Sequence, residues 1–206
     1  MSTYKRLSRD TAAVLFIDHQ TGLNSLVRDY SPAQFTANVL ALADVAKYFN
    51  LPTILTTSFE TGPNGPLIPE LKVMFADAPM IARPGQINAW DNEEFVAAVK
   101  KTGRTQLIMC GIITDICVAF PALSALEEGY EVFIDTGASG TLNESCRNAT
   151  WLRLMSAGAQ LMHWFSISAE LQRDWRNDPE GYGKLTCQNL PEYKHLMSSF
   201  NAQKKK

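Results

Sequence analysis

The stretch Thr105–Gly129, TQLIMCGIITDICVAFPALSALEEG, constrains the fold more than any other part of the sequence. Its apolar opening, Leu107-Ile108-Met109-Cys110, is the pattern of a strand covered on both faces, which calls for a parallel sheet between two helical layers. Gly111 breaks the run. Thr114 has the chemistry of a helix N-cap, which puts Cys117 at the third helical position, among free N–H groups and the positive end of the helix dipole. There the thiolate, the nucleophilic form, is expected to be favoured. The space outside the carboxyl end of a buried strand is also where an open α/β sheet places its chemistry. Cys117 also suits a small buried apolar role, and this stretch alone favours that plainer reading.

At 206 residues, with 46 % hydrophobic and 19 % charged side chains, the chain suits one α/β domain with an ordinary core. A net charge of −2 gives no basis for binding nucleic acid, which needs a basic excess. Lys204-Lys205-Lys206 reads as a solvated tail. No apolar run approaches the ~18 residues of a membrane span, and the opening MSTYKRLSRD lacks the apolar centre of a signal peptide. Cys110, Cys117, Cys146 and Cys187 show neither CxxC pairing nor a disulfide framework, which fits a reducing cytoplasm.

Taken in order, Ala12–Ile17 is a second continuous apolar run, and it ends abruptly at Asp18-His19-Gln20. Asp18 can be a plain loop-starting residue, but it shares its end of the sheet with Cys117. Ser31-Pro32-Ala33-Gln34 announces a helix with a serine cap and a proline at its first position. Phe35, Val39, Leu42, Ala46 and Phe49 follow at helical spacing, and Asn50 can end the helix in the left-handed region. Thr53–Thr57 is the next strand and completes a βαβ unit. The Gly- and Pro-rich connection from Phe59 to Pro79 has room for a helical turn or two at Pro69–Phe75, and its length marks a lid or a subunit contact. Met80–Arg83 is a short strand that leaves a cation at its carboxyl end; a surface or salt-bridged arginine explains it as well as a functional one.

Asp91-Asn92-Glu93-Glu94 opens another helix with a reciprocal cap, carrying Phe95, Val96 and Val99 inward. The Cys117 unit follows. Glu131–Asp135 and Leu161–Phe165 are further strands, separated by the Gly137–Gly140 loop and a helix from Asn143 to Ala157. His163 reads as structural. Trp175–Gly183 has no clear period, and Pro191 opens a last helix with Tyr193, Leu196, Met197 and Phe200 as its apolar face. Six strands alternating with helices give a mostly parallel three-layer α/β sheet.

Asp18, Arg83 and Cys117 are thus expected at one sheet edge. His19, His163 and His195 are scattered and match no metal-ligand spacing. Phosphate-loop and dinucleotide motifs do not occur, so no cofactor is implied. Ser139, in G-A-S-G, lacks the spacing of a serine nucleophile elbow. A cysteine nucleophile remains.

The segments VLFIDHQTGL, IARPGQINAWDN and LIMCGIITDICVAFPALSALEEGYEV resemble the isochorismatase-like cysteine hydrolases, with TTSFETGPNGPL and the W-R-N-D tail extending the match over nearly the whole chain. The likeness is greatest to the YcaC-type branch, hydrolases of unassigned substrate. It implies one domain over residues 1–206, a three-layer Rossmann-like sandwich with strand order 3-2-1-4-5-6, and residues 166–206 as a C-terminal extension packed on the domain or on a neighbouring subunit. It implies a triad of Asp18 as general base, Arg83 as fixed cation and Cys117 as nucleophile. Most of the superfamily has lysine at the second position. Arginine stays charged and cannot shuttle a proton; it would hold Asp18 ionised and favour the thiolate.

The resemblance further implies a cis peptide at Ile112–Ile113, with the amides of Ile113 and Cys117 as an oxyanion hole. Gln20, Asn88 and Trp90 are candidates for the pocket lining, each with an equally good packing role. The activity implied is hydrolysis of a small amide-like C–N bond through an acyl-enzyme. Nicotinamide is not the expected substrate, because the metal-binding histidines of nicotinamidases are missing after Thr57. The resemblance also implies a homo-oligomer, an octamer or another ring. A catalytically silent binding or assembly protein is the alternative from another class, and a peroxide-sensing thiol is a third.

Overall fold

The computed structural model describes residues 4–203; Lys204-Lys205-Lys206 lies outside them. Its strands are β1 (Ala12–Ile17), β2 (Thr53–Ser58), β3 (Met80–Arg83), β4 (Gln106–Gly111), β5 (Glu131–Asp135) and β6 (Gln160–Met162). Its α-helices are α1 (Pro32–Tyr48), α2 (Pro69–Met74), α3 (Glu93–Lys101), α4 (Ala119–Glu127), α5 (Glu144–Ala157), α6 (Trp164–Gln172), α7 (Pro179–Asn189) and α8 (Pro191–Gln203). The strands form one parallel sheet in the order β3-β2-β1-β4-β5-β6.

Every residue of β1, β2 and β4 is buried, because successive side chains of a central strand serve two cores. Ala12, Val14 and Phe16 pack with α1, α6 and α7 on one face. Ala13, Leu15 and Ile17 pack with α3, α4 and α5 on the other. Helix α1 forms as its sequence signals require: the Ser31 side chain accepts from the Gln34 amide at 3.3 Å, Pro32 takes the first position, and Asn50 adopts φ 49° just beyond the end.

The chain leaves β1 toward β2 and β3 on one side and takes up β4, β5 and β6 on the other, so the switch point lies between β1 and β4. Ile17 is level with Gly111 in the ladder. Asp18 and the turn after Gly111 therefore emerge side by side. A Cβ on Gly111 would lie 2.1 Å from the Ile17 carbonyl oxygen, and the Ile112 amide donates to that oxygen at 3.1 Å. Only glycine allows this approach.

Several boundaries depart from expectation. Thr114 does not cap α4. Residues Thr114–Val118 form a π-turn that runs into the helix, and no side chain caps it; the Thr114 amide is instead taken by the Gly140 carbonyl at 3.0 Å. Helix α3 is capped by Asn92 and not Asp91, the Asn92 Oδ1 accepting from the Phe95 amide at 2.9 Å, because Ala89–Asp91 is spent on a 3-10 turn. Strand β6 stops at Met162, and Trp164-Phe165 opens α6, since Trp164, Ile167 and Leu171 share a helical face toward the core. Helix α7 arises within and beyond the stretch without a clear period. Asp178 caps it by accepting from the Gly181 amide at 2.9 Å, with Pro179 at its first position. On α8, Tyr193 stacks on Trp175 with ring centroids 5.6 Å apart, while Leu196 is 61 % exposed, so the expected apolar face of that helix is only partly packed.

Gly111→Ala is expected to destabilise the protein by about 1–3 kcal/mol through overpacking against β1. Gly85→Ala, where a Cβ meets nothing within 4 Å, serves as the control. Denaturant unfolding of the two variants checks this.

Candidate active site

Asp18 is the first residue past β1 and adopts φ 56°, a left-handed conformation that aspartate tolerates better than most side chains. Its amide still pairs with the Thr56 carbonyl at 2.9 Å. The backbone thus turns out of the sheet while remaining anchored to it. Arg83 ends β3, two strands away, and its side chain crosses beneath the end of β2 to reach Asp18. One guanidinium nitrogen, Nη2, pairs with Asp18 Oδ1, and both side chains are fully buried. Nε donates to Thr56 Oγ1 at 3.0 Å, and Nη1 donates to the carbonyls of Gln86 and Ile87. The Thr56 hydroxyl in turn donates to the Ile81 carbonyl at 2.8 Å. Each arm of the guanidinium therefore has its own partner.

Cys117 comes from the π-turn after β4 and is partly exposed. Its thiol approaches Asp18 closely enough for each group to act on the other, and the Ile113 amide donates toward the sulfur. Asp18 Oδ2 accepts no hydrogen bond of ordinary geometry. Burial pushes the Asp18 carboxyl above its usual range; the charge and hydrogen bond of Arg83, and then the Cys117 thiol, pull it back down. Burial is also the main influence on Cys117, followed by the charge of Asp18, and together they push its thiol up to about 12. The Ile113 amide and Arg83 oppose that shift without overcoming it. This departs from the stabilised thiolate expected at a helix end, because a second anion beside a buried carboxylate is costly.

The other candidate residues are placed differently. The Ile112–Ile113 peptide is cis, and the Ile113 amide faces the sulfur. Gln20 is buried and fully engaged by the backbone: its amide nitrogen donates to the carbonyls of Ser58 and Gly65, and its oxygen accepts from the Ser58 amide at 2.9 Å. It pins the 58–65 connection and has no group left for a ligand. Asn88 caps the 3-10 turn and donates to Ser124 Oγ at 3.1 Å, while Trp90 Nε1 donates to Glu128 at 2.8 Å. Both fasten the 86–92 segment to α4 and the residue that ends it. A cavity of about 400 Å³ lies on the β2–β3 flank, lined by Leu55, Leu67, Phe75 and Ala82 with Glu60 and Lys72; none of Asp18, Arg83 and Cys117 lines it. Among the described residues no group of three or more His, Cys, Asp and Glu side chains could hold a metal ion, and no helix is long and apolar enough to cross a membrane.

Sequence reasoning missed Thr56, which supports the guanidinium. It also missed Phe59, which follows β2 at φ 51°, bonds its amide to the Arg83 carbonyl at 3.0 Å and is 49 % exposed. Thr56 carried a usable signal: a threonine inside an otherwise apolar buried strand needs a polar partner.

Known proteins match this fold over nearly the whole chain. The family model of the isochorismatase domain matches residues 12–165, and the chain belongs to that family. It is 64 % identical over 198 residues to YcaC of Escherichia coli, described as a probable hydrolase, covering 96 % of this chain and 95 % of that one. The structure of Pseudomonas aeruginosa YcaC with hexane-2,5-diol and covalent acrylamide superposes with a TM-score of 0.96 at 66 % identity, covering 98 % of this chain and all of that one. The E. coli YcaC structure, described as an octameric hydrolase of unknown specificity, matches with the same score at 62 % identity and the same coverage.

Thr56 and Thr57 make a direct comparison. Both are buried, but the Thr57 hydroxyl has no partner. Thr56→Val should cost about 1–3 kcal/mol, because it leaves a buried guanidinium N–H unpaired. Thr57→Val, which removes a hydroxyl already unpaired, should be neutral or stabilising. Thermal unfolding of both variants reads the difference.

Proposed function

We propose that the chain is a cysteine-dependent hydrolase that opens a small amide-like C–N bond through a thioester acyl-enzyme. The observation that carries this reading is the meeting of a partly exposed thiol with a buried carboxylate already paired to a fixed cation. With its pKa pushed up to about 12, Cys117 rests as the neutral thiol. Asp18, with its own pKa raised by burial, is the better proton acceptor for it. A carboxylate nearer neutrality matches the demands of general base catalysis at ordinary pH.

In the mechanism, Asp18 takes the thiol proton as the sulfur attacks the substrate carbonyl. Arg83 cannot give up a proton and so keeps its charge through the cycle, steadying Asp18 whenever it is ionised. The carbonyl oxygen gains negative charge beside the Ile113 and Cys117 amides, which act as its oxyanion hole. Collapse of this intermediate breaks the C–N bond, and the proton held by Asp18 leaves with the amine. Asp18 then takes a proton from water, whose oxygen attacks the thioester carbon. The acid product departs and the proton returns to sulfur.

The covalent acrylamide of the P. aeruginosa relative supports a nucleophilic site, since acrylamide is an electrophile that thiols take up. The octamer described for the E. coli relative supports a homo-oligomer here. Exposed Val73, Leu152 and Leu196 offer apolar surface for such contacts.

Iodoacetamide near pH 7 should label Cys117 in preference to Cys110, Cys146 and Cys187. In Asp18→Asn the Cys117 pKa should fall, because the charge and the side-chain contact that raise it are gone. Labelling at pH 7 should nonetheless slow by about tenfold or more, because the base is gone as well. Faster labelling in that variant would rule out Asp18 as the base. Turnover itself is read by screening amides, ureas and carbamoyl compounds for released product, with Cys117→Ala as the inactive control.

A further inference from the structure

Asp135 ends β5 with its side chain fully buried. Its Oδ1 accepts from the amides of Gly137 at 2.8 Å and Ala138 at 3.1 Å, and its carbonyl accepts from Ser139 Oγ at 2.7 Å. Oδ2 has no partner. Asp135 thus gathers residues 137–139, two through its carboxylate and one through its carbonyl.

Bonds then run from that loop to the elements that carry the site. The Ala138 carbonyl accepts from His19 Nε2 at 2.9 Å, and His19 directly follows Asp18. Burial lowers the His19 pKa to about 4, so the ring is neutral and its proton must sit on Nε2 to reach a carbonyl. The Gly140 amide donates to the Gly111 carbonyl at 3.1 Å, and the Gly140 carbonyl accepts from the Thr114 amide at 3.0 Å. Thr141 Oγ1 donates to Asp115 Oδ1 at 2.5 Å. The far end of the loop is itself fixed, because the Thr141 amide donates to Asp29 at 2.9 Å. A Cβ on Gly140 would come within 2.7 Å of the Val27 side chain, so the loop passes tightly through this place. The turn bearing Ile113 and Cys117 is therefore held at its start and its middle, and the end of β1 is held too, by one loop closed on Asp135.

We propose that Asp135 is a positioning residue for the nucleophile: its carboxylate folds residues 136–141 into the brace that holds the Ile112–Cys117 turn against the end of β1. This rests on the reading of Cys117 as nucleophile. Asp135 itself touches none of Asp18, Arg83 and Cys117 in the contacts that build the site, and its effect passes through backbone groups of the loop. Burial pushes its pKa up to about 7 against the pull of the Ala138 and Gly137 amides. Holding a carboxylate there is costly, and the two amides it gathers are what that cost secures.

The test is site-resolved iodoacetamide labelling of the full chain across pH 6–9. Asp135→Ala removes the acceptor, Asp135→Asn keeps an oxygen in the same place, and Thr141→Val cuts only the link to Asp115. In Asp135→Ala, Cys117 should label about tenfold or more slowly at pH 7, and its pH dependence should move toward that of Cys146 and Cys187. Asp135→Asn should lose no more than about threefold, since the acceptor survives. Thr141→Val should shift the profile in the same direction, and it decides the matter should Asp135→Ala fail to fold. Wild-type rate and profile in Asp135→Ala would overturn the proposal, as would wild-type rate and profile in Thr141→Val should Asp135→Ala fail to fold. So would equal losses in Asp135→Ala and Asp135→Asn, or a parallel rise in labelling of buried Cys110, which would mean general loosening. The parent reading is judged separately, by whether Cys117 labels preferentially in the wild-type chain.

Discussion

The ion pair between Asp18 and Arg83 sets the terms for everything at the carboxyl edge of the sheet. Both partners are out of contact with water, and the loss of hydration on burying two charges can exceed their mutual attraction unless their remaining polar groups are satisfied. The guanidinium meets that condition. Its planar fork reaches a carboxylate, a hydroxyl and two carbonyls at once. A lysine in its place would present one point charge on a flexible stem and could not span the same set. Arginine here is thus tied to local architecture: it fits because Thr56 and the 86–87 carbonyls surround it. The carboxylate is less well served. Oδ2 lacks a full hydrogen bond, and that shortfall leaves it able to act on the thiol.

Much of this was legible in the chain. Continuous apolar runs at 12–17 and 107–110 identified strands covered on both faces, and the residues that end them, Asp18 and Gly111, marked where the candidate site lies. Serine and proline at 31–32 placed α1 correctly because an N-cap is a local device that depends on few distant contacts. The failures share a cause. Thr114 had the chemistry of a cap, but its hydroxyl finds no partner, because the turn it sits in is set by the Gly140 carbonyl holding its amide from 26 residues away. Trp164-Phe165 looked like the end of a strand, because two apolar residues cannot by themselves distinguish a strand from the first turn of a helix.

The same limit governs the side chains around the site. Gln20, Asn88 and Trp90 were polar or amphipathic groups near the right sequence positions, yet each spends its hydrogen bonds on the protein. Gln20 ties down the connection after β2, while Asn88 and Trp90 fasten the segment after Arg83 to α4. Their contribution to the site is indirect, since the 86–87 carbonyls that hold Arg83 lie in that fastened segment. No periodicity or spacing reveals such a chain of support. It exists only once strands distant in sequence stand side by side.

The raised thiol pKa changes how the sulfur's chemistry is understood. A depressed pKa gives a cysteine more thiolate but a weaker nucleophile, because intrinsic nucleophilicity falls with basicity. Here a resident thiolate would stand beside a carboxylate in a dry setting, with one guanidinium to balance two anions. In the mechanism proposed above, keeping the proton on sulfur until attack avoids that surplus, and Asp18 receives the proton as the thiol's electrons move to carbon. Net charge within the pocket is then conserved, because Asp18 is neutralised as the carbonyl oxygen becomes the anion. The Ile113 amide is already directed at the sulfur, and in the proposed mechanism it also meets that charge. On this view the cysteine is activated at the moment of attack by its neighbours' geometry, and the rigidity of the turn that carries it matters more than any standing shift toward the thiolate.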